Sequence, residues 1–431
     1  MGRYISKTIT IVAVIFGIWF VGYKFYDEDG IEEVPVKIIE RSSMLSMMIE
    51  TKANSGKYEM TTVSNLPTDD YIFNKTLSKC ENGGTLSWDD TNKKVMFEGN
   101  NVDKCYVYFD KVQKKLSNYI KSLYTGVQGE NNIYYHDSTL ENGANDNSYR
   151  YAGSSKTTNN FICFGYDSTD GTCPTDYLYR IIGVFDDQVK LIKYDYAKSD
   201  ILGTNGEYAS VYSSTGNKGY PKGTNMPSQI GAYYWNSDTG TNTWSESKLN
   251  TINLNTFYLN EIGNIWASKI ATHTWKVGGN TWANIGTVVA SIAYQNELIS
   301  PSVSSTYDSK IGLMYLSDFA YAAPSSAWTI PLFANNFNDY RLSSVAGVNW
   351  LYMGLWEWMI TPRTDNNNLV FHADNEGNIY SNRVNYLKNA IRPSFYLDNN
   401  AVLESGNGSK TTPYILYINQ DKWDWKFEKL T

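Results

Sequence analysis

Residues 178–197 read LYRIIGVFDDQVKLIKYDYA, with one apolar segment on each side of Asp186 and Asp187. Both segments are rich in β-branched and aromatic side chains, and paired aspartates suit a tight turn between strands. The stretch therefore predicts a β-hairpin.

The chain around this hairpin, from about 149 to 420, consists of short apolar segments and long loops rich in Gly, Ser, Thr and Asn, as in 203–243. A helix is predicted to begin near Trp244, because apolar residues then recur at helical spacing. Ordered loops of such length are usually functional. The pattern predicts one large, loop-rich domain over 149–420.

A smaller domain is predicted before it. Residues from about 58 to 110 contain the strand-like segment CYVYFDK and two short strands around the turn DDTNKK, which is typical of a small β domain. An amphipathic pattern in 36–51 predicts a stalk helix within 31–57. A helical spacer and linker are expected over 111–148, and a C-terminal tail over 421–431.

The four cysteines, Cys80, Cys105, Cys163 and Cys173, fall into two local pairs. In an exported chain such pairs predict disulfides, here Cys80 with Cys105 and Cys163 with Cys173, although four cysteines allow three pairings. Four free thiols in a cytosolic protein are the alternative.

The N-terminal segment 8–23, TITIVAVIFGIWFVGY, is uncharged and follows Arg3 and Lys7. It predicts a cytoplasmic tail and a single transmembrane anchor within 1–30, because acidic residues follow the segment and positive charge stays inside. A single-pass protein of the cell membrane, with its C-terminal bulk extracellular, is expected. The alternative is a cleaved signal peptide.

Composition limits the classes of partner. The chain of 431 residues has 37 Lys and Arg against 44 Asp and Glu, a net charge of −7. Such a surface repels a phosphate backbone, so nucleic acid is not an expected partner. A content of 35 Tyr and 13 Trp with only 19% charged residues is typical of secreted binding proteins.

The order of motifs in the large domain suggests a family. LYRIIGVF is followed by WSESKLNTINLNTFYL, IGLMYLSDFAYA, NWLYMGLWEWMITPRTD, AIRPSFYL and GNGSKTTPYIL. This series resembles an uncharacterised C-type-lectin-like domain of Gram-positive gut bacterial surface proteins, similar to formylglycine-generating-enzyme-like folds and diversity-generating-retroelement variable proteins. The resemblance implies an α+β fold, a mixed, loop-rich C-type-lectin-like domain after the transmembrane helix and the small β domain.

The resemblance also implies a ligand face near the C-terminus, diversified at Asn-type codons in some relatives. Aromatic side chains there would supply rigid contact area and Asn side chains adaptable hydrogen bonds. The expected ligand-binding residues are Tyr340, Tyr352, Trp356, Asn366, Asn367, Asn368, His372, Tyr380, Asn382, Asn385, Tyr386 and Asn389. The expected structural framework is Trp350, Glu357, Trp358, Arg363, Arg392 and Pro393. The alternative is that the Asn residues merely mark turns in a low-GC genome.

Catalysis, cofactors and metals are not expected. There is no Cys after Cys173 for formylglycine chemistry, no G-x-S-x-G and no H-E-x-x-H. Glu357 is expected to pair with Arg363 or Arg392 rather than to act as an acid.

The sequence thus predicts a membrane-anchored, extracellular receptor or adhesin-like protein that binds an unknown glycan or protein ligand. A structural pilus or cell-envelope subunit that uses the same face for packing is the alternative.

Overall fold

The computed structural model describes residues 44–51, 53, 55–61, 71–99, 103–168, 171–212, 229–302, 305–332 and 348–418. The chain divides into two compact units, the first ending at Gln113 and the second beginning at Lys114. The second unit thus includes the stretch up to residue 148, which was expected to be a separate spacer.

The first unit is a small β structure, as the alternation in 58–110 predicts. Its strands are β1 (Met44–Glu50), β2 (Tyr58–Thr61), β3 (Tyr71–Phe73), β4 (Lys79–Cys80), β5 (Thr85–Asp89), β6 (Lys94–Glu98) and β7 (Lys104–Lys111). One sheet has the order β2-β1-β7-β3, with β4 also on β7, while β5 and β6 form a hairpin. The predicted disulfide between Cys80 and Cys105 joins β4 to β7.

The predicted stalk helix is wrong where the structure describes it, because Met44–Glu50 is a strand. It pairs antiparallel with β2 and parallel with β7, where Val107 and Phe109 are fully buried. Pairing on both edges satisfies the backbone and outweighs a loose helical spacing of apolar residues.

The second unit contains many more strands. They are β8 (Lys114–Lys115), β9 (Ile133–Tyr135), β10 (Tyr149–Tyr151), β11 (Phe161–Cys163), β12 (Leu178–Phe185), β13 (Gln188–Lys193), β14 (Tyr208–Val211), β15 (Gly231–Tyr233), β16 (His273–Lys276), β17 (Thr306–Ser309), β18 (Ile311–Gly312), β19 (Glu357–Pro362), β20 (Leu369–Ala373), β21 (Ile379–Arg383), β22 (Ser394–Tyr396), β23 (Val402–Ser405) and β24 (Ile415–Leu416).

The main sheet has the order β18-β22-β13-β12-β10-β9, with β11 also paired to β12. The predicted hairpin is its β12 and β13, and Asp186 takes a φ of 52° in the turn. Gly183 is required in β12, since a Cβ there would lie 2.4 Å from the carbonyl oxygen of Tyr149. The second predicted disulfide, Cys163–Cys173, is also present.

Two smaller sheets complete the framework relevant below. β19, β20 and β21 form a three-stranded antiparallel sheet, and β8, β23 and β24 form another. The pairs β14–β15 and β16–β17 stand as two-stranded ribbons.

Helices are short. The α-helices are α1 (Leu116–Ser122), α2 (Ser199–Leu202), α3 (Leu259–Glu261), α4 (Gly263–Ala267), α5 (Trp282–Ile285), α6 (Ala290–Tyr294) and α7 (Leu316–Tyr321). π-Helical turns cover Leu249–Tyr258 and Gln295–Ile299, and 3-10 turns cover Glu130–Asn132, Thr175–Tyr177, Trp244–Glu246 and Ser325–Ala327.

The predicted α+β class is therefore wrong for the described residues, whose regular secondary structure is mainly β-sheet with few helices. The frequent Asn, Ser, Thr and Gly residues favour caps and turns over helix interiors, which keeps the helices short. The helix predicted near Trp244 is present as consecutive helical segments, Leu249–Tyr258, Leu259–Glu261 and Gly263–Ala267, after the 3-10 turn Trp244–Glu246.

In the parts of the chain that the structure describes, no helix has both the length and the apolar character that a membrane span requires. The structure therefore does not support the single-pass membrane location predicted from the sequence. The predicted anchor over 8–23 and the tail over 421–431 lie outside the described residues.

Candidate functional site

The sheet formed by β19, β20 and β21 brings three ring-bearing residues to one face. His372 lies opposite Trp358 on one side and opposite Tyr380 on the other. Residues directly opposite each other on neighbouring strands point to the same face of a sheet. Trp358, His372 and Tyr380 therefore share a face.

Four rings follow one another in nearly parallel planes at this face. The Trp356 and His372 ring centroids are 5.3 Å apart with 27° between planes. His372 and Tyr380 follow at 6.4 Å and 29°, and Tyr380 and Trp282 at 6.4 Å and 28°. We call Trp356, His372, Tyr380 and Trp282 the aromatic row. Offset stacking of this kind is a favoured arrangement of aromatic side chains.

Solvent reaches the row unevenly. Tyr380 is 36% exposed, whereas His372 is 1% exposed. Trp356 and Trp282 are half-buried. Solvent therefore reaches part of the Tyr380 ring and of the two tryptophan rings, whereas His372 lies beneath the surface.

One end of the row is fixed by a turn. The Trp356 indole N–H donates to Asn375 Oδ1 at 3.1 Å, and the Tyr352 hydroxyl donates to the Asn375 carbonyl oxygen at 2.5 Å. Asp374 holds this turn, since its Oδ1 accepts the backbone N–H groups of Glu376 and Asn378 at 2.8 Å each. The orientation of Trp356 thus depends on the β20–β21 turn.

The other end carries an ion pair. The Arg363 guanidinium lies 5.7 Å from the centroid of the Trp282 ring. Its Nε and Nη2 donate to the two carboxylate oxygens of Asp365 at 2.8 and 2.7 Å. Asp365 also accepts the backbone N–H of Trp282 at 3.3 Å. The cation is therefore already paired at this end of the row.

Beneath the face, β19 is held by a buried ion pair. Arg392 Nε and Nη2 each donate to one oxygen of Glu357 at 2.8 Å, which is one of the two pairings expected from the sequence. Burial raises the pKa of Glu357, and Arg392 opposes this shift. A carboxylate with this role is structural rather than an exposed acid.

His372 is neutral at ordinary pH. Burial lowers its pKa from 6.5 to about 4, and the contact of Nδ1 with the carbonyl oxygen of Ala373, at 3.3 Å, opposes the shift only weakly. Its Nε2 has no hydrogen-bond partner among the described residues. The imidazole therefore acts in the row as an uncharged ring.

The ligand-binding residues expected from the sequence differ in how much solvent reaches them. Asn366, Asn367, Tyr380, Asn385 and Tyr386 are exposed, Tyr352, Trp356, Asn368 and Asn382 are half-buried, and His372 and Asn389 are buried. Tyr340 lies outside the described residues. The aromatic row brings together Trp356, His372 and Tyr380 of this set.

Asn389 is not available to a ligand. It is 0% exposed, and its backbone N–H and carbonyl pair with Tyr233. The expected framework residues lie in the interior, except for Arg363, which is partly exposed at the Trp282 end of the aromatic row. Buried are Trp350, Glu357, Trp358, Arg392 and Pro393.

Trp282 was missed by sequence reasoning. It stands in GGNTWANIG, a stretch without helical or strand periodicity, and joins the row only because the chain folds back on the sheet. The one local signal was a large aromatic residue among Gly and Asn.

One group of potential metal ligands occurs within the described ranges, formed by Cys80, Asp103 and Cys105. The two sulfurs are bonded to each other, and Asp103 accepts backbone N–H groups from Asn82, Gly84 and Lys104. A cysteine binds a metal as its thiolate, and neither sulfur is free to form one. These residues therefore do not fit a metal centre.

Comparison with protein families, with characterised proteins and with solved structures finds no match for this chain. The resemblance suggested by the motifs therefore remains a prediction from the sequence alone.

Proposed function

We propose that the aromatic row is a recognition surface for a glycan, and that the protein is a binding protein rather than an enzyme. The observation that carries the proposal is the near-parallel series Trp356, His372, Tyr380 and Trp282 on one sheet face. The C–H groups of a sugar ring are apolar and can pack on exposed aromatic surface.

Polar groups suited to sugar hydroxyls stand at the ends of the same strands. Asn366 and Asn367 are exposed in the β19–β20 loop, and Asn385 is exposed after β21. An amide offers two donors and an acceptor, so it suits a hydroxyl, which is both. A few placed polar groups around aromatic surface are typical of small-ligand sites.

Local charge favours a neutral glycan. Arg363 is engaged by Asp365, while burial and the negative charges of Asp374 and Glu376 raise the pKa of Tyr380. These two carboxylates place negative charge near Tyr380, which disfavours anionic groups there. Uronic-acid or sialylated chains should bind more weakly than neutral chains.

An array of neutral and acidic oligosaccharides tests the proposal. We expect the wild-type protein to bind a subset of neutral chains and Tyr380→Ala to lose at least tenfold in affinity for them. Tyr177→Ala is the matched control, because Tyr177 is 40% exposed but its ring packs against Tyr166 rather than against the row. Absence of any glycan binding by the folded wild type, or an equal loss in both variants, contradicts the proposal.

Diversification of this face is a separate part of the proposal. Exposed Asn366, Asn367 and Asn385 tolerate replacement, whereas buried Asn389 does not. Sequencing codons 330–400 in one bacterial population should show adenine-biased changes at the codons of Asn366, Asn367 and Asn385 and not at that of Asn389. Uniform codons, or changes of equal frequency at Asn389, contradict it.

A further inference from the structure

The main sheet of the second unit contains a buried lysine–carboxylate pair. Lys190 in β13 and Asp318 in α7 have side chains only 1% and 2% exposed, and Lys190 Nζ lies 2.6 Å from Asp318 Oδ2. The two residues are 128 positions apart in the chain. The pair therefore connects distant segments inside the core.

Aromatic rings enclose the lysine nitrogen. Nζ lies 4.3 Å from the ring centroid of Tyr315, 5.2 Å from Tyr396, 5.5 Å from Trp275 and 5.8 Å from Phe185. Asp318 supplies its one hydrogen-bond acceptor within the described part of the chain. Burial lowers the pKa of Lys190, against the opposing charge of Asp318, and so favours the neutral, nucleophilic amine.

A second carboxyl, that of Glu297, interacts electrostatically with both members of the pair. Glu297 is 0% exposed, and its oxygens accept the backbone N–H groups of Leu316 and Ser317 at 3.0 Å each, in the first turn of the helix that carries Asp318. Burial raises the pKa of Glu297 to about 7. This carboxyl can therefore hold or release a proton at neutral pH.

We propose that Lys190 and Asp318 react with each other after folding to form an intramolecular isopeptide bond, with Glu297 as the proton carrier. The chain would thereby contain a self-made covalent crosslink between β13 and α7. No cofactor and no redox partner is needed.

The atoms balance as a condensation. A proton passes from the ammonium, by way of Glu297, to Oδ1 of the carboxylate, which gives a neutral amine and a carboxylic acid in a medium that disfavours both charges. The Nζ lone pair attacks Cγ of Asp318 and the N–Cγ bond forms. Glu297 relays a proton from nitrogen to the departing hydroxyl, the Cγ–Oδ1 bond breaks, and one water leaves. Oδ2 remains as the amide oxygen, where the Tyr315 N–H, at 2.8 Å, stabilises its developing charge.

The amine of Lys190 and the carboxyl of Asp318 are already adjacent in the fold. Cγ is bonded to the oxygen that accepts the Nζ hydrogen bond, so the reacting atoms are held together, an arrangement that makes a bimolecular step effectively unimolecular. The other deeply buried ion pairs of the described residues, Arg392 with Glu357 and Arg150 with Asp146, use arginine, which does not lose its proton. They cannot condense, and Lys190 can.

The full chain, denatured and with its disulfides reduced, tests the proposal by intact mass. The measurement uses material whose near-ultraviolet circular dichroism shows native aromatic packing before denaturation. We expect a mass one water below that of the sequence, and a branched peptide joining the segments of Lys190 and Asp318 after proteolysis. Natively packed protein with the full sequence mass overturns the proposal.

Variants assign the roles. Lys190→Arg and Asp318→Ala should keep the full sequence mass, and Glu297→Gln should lower the crosslinked fraction at least tenfold at equal times after folding. Lys193→Arg is the matched control, because Lys193 is also buried in β13 but donates to the backbone carbonyl of Asp176. Loss of water in Lys190→Arg, or no loss in Lys193→Arg, contradicts the assignment.

Discussion

The Arg392 guanidinium donates two parallel hydrogen bonds of 2.8 Å to the Glu357 carboxylate, and both side chains are no more than 2% exposed. The pair fixes the start of β19, the strand next to the aromatic row. Arg392 Nη2 also donates to the carbonyl oxygen of Leu351 at 2.5 Å. One guanidinium therefore ties a strand to the segment that precedes it.

Removing one member of this pair should be costly. Arg392→Ala leaves the Glu357 carboxylate buried without its cation, so we expect the free energy of unfolding to fall by about 3–5 kcal/mol. Urea denaturation measures the loss. The double variant Glu357→Leu/Arg392→Met removes both charges and should lose less than Arg392→Ala alone; a larger loss in the double variant contradicts this account.

Two tyrosines expected to bind ligand should differ in their effect on stability. Tyr352→Ala removes a half-buried ring and its hydrogen bond to Asn375, so we expect unfolding to become easier by about 2 kcal/mol. Tyr386 is 74% exposed, and Tyr386→Ala should leave the melting temperature unchanged. Thermal unfolding of both variants measures the difference in melting temperature, and equal melting temperatures contradict the half-buried placement of Tyr352.

His372 should make the protein sensitive to acid. Its pKa falls from 6.5 in the unfolded chain to about 4 in the fold, because burial disfavours the charged ring. Between these values the unfolded chain binds a proton that the folded chain does not, so stability decreases as pH falls from 6.5 towards 4. His372→Phe should reduce this slope by roughly 1.4 kcal/mol per pH unit. Urea denaturation across this range measures the slope, and an unchanged slope contradicts the assignment.

The disulfide of the first unit should stabilise that unit alone. Cys80 and Cys105 are 25 positions apart, and opening such a loop costs about 3 kcal/mol in the chain-entropy account. Cys80→Ser/Cys105→Ser should therefore speed hydrogen exchange in β7 and leave β12 unchanged. Equal acceleration in β12 shows that the two units do not unfold separately.

The sequence predicted those elements that depend on local chemistry. The hairpin of β12 and β13 needs only two apolar segments and a two-aspartate turn, and the two disulfides follow from local spacing. Met44–Glu50 was missed because its strand character comes from partners distant in the chain. The Glu50 carboxylate, for example, accepts backbone N–H groups from Gly56 and Lys111.

The candidate site shows the same limit. Trp356 and Tyr380 could be proposed from an aromatic, Asn-rich segment, but Trp282 reaches them through tertiary folding. His372 and Asn389 have the residue types of a binding surface, yet each is no more than 1% exposed. Composition indicates which side chains suit recognition, while tertiary packing decides which of them reach solvent.

Saturation-transfer NMR with a neutral oligosaccharide bound by the wild-type protein tests the central claim most directly. We predict that irradiating the aromatic resonances of the protein transfers saturation to the C–H protons of one sugar face, and that Tyr380→Ala abolishes this transfer while Tyr177→Ala retains it. Equal transfer in wild type and Tyr380→Ala would show that the glycan does not lie on the aromatic row.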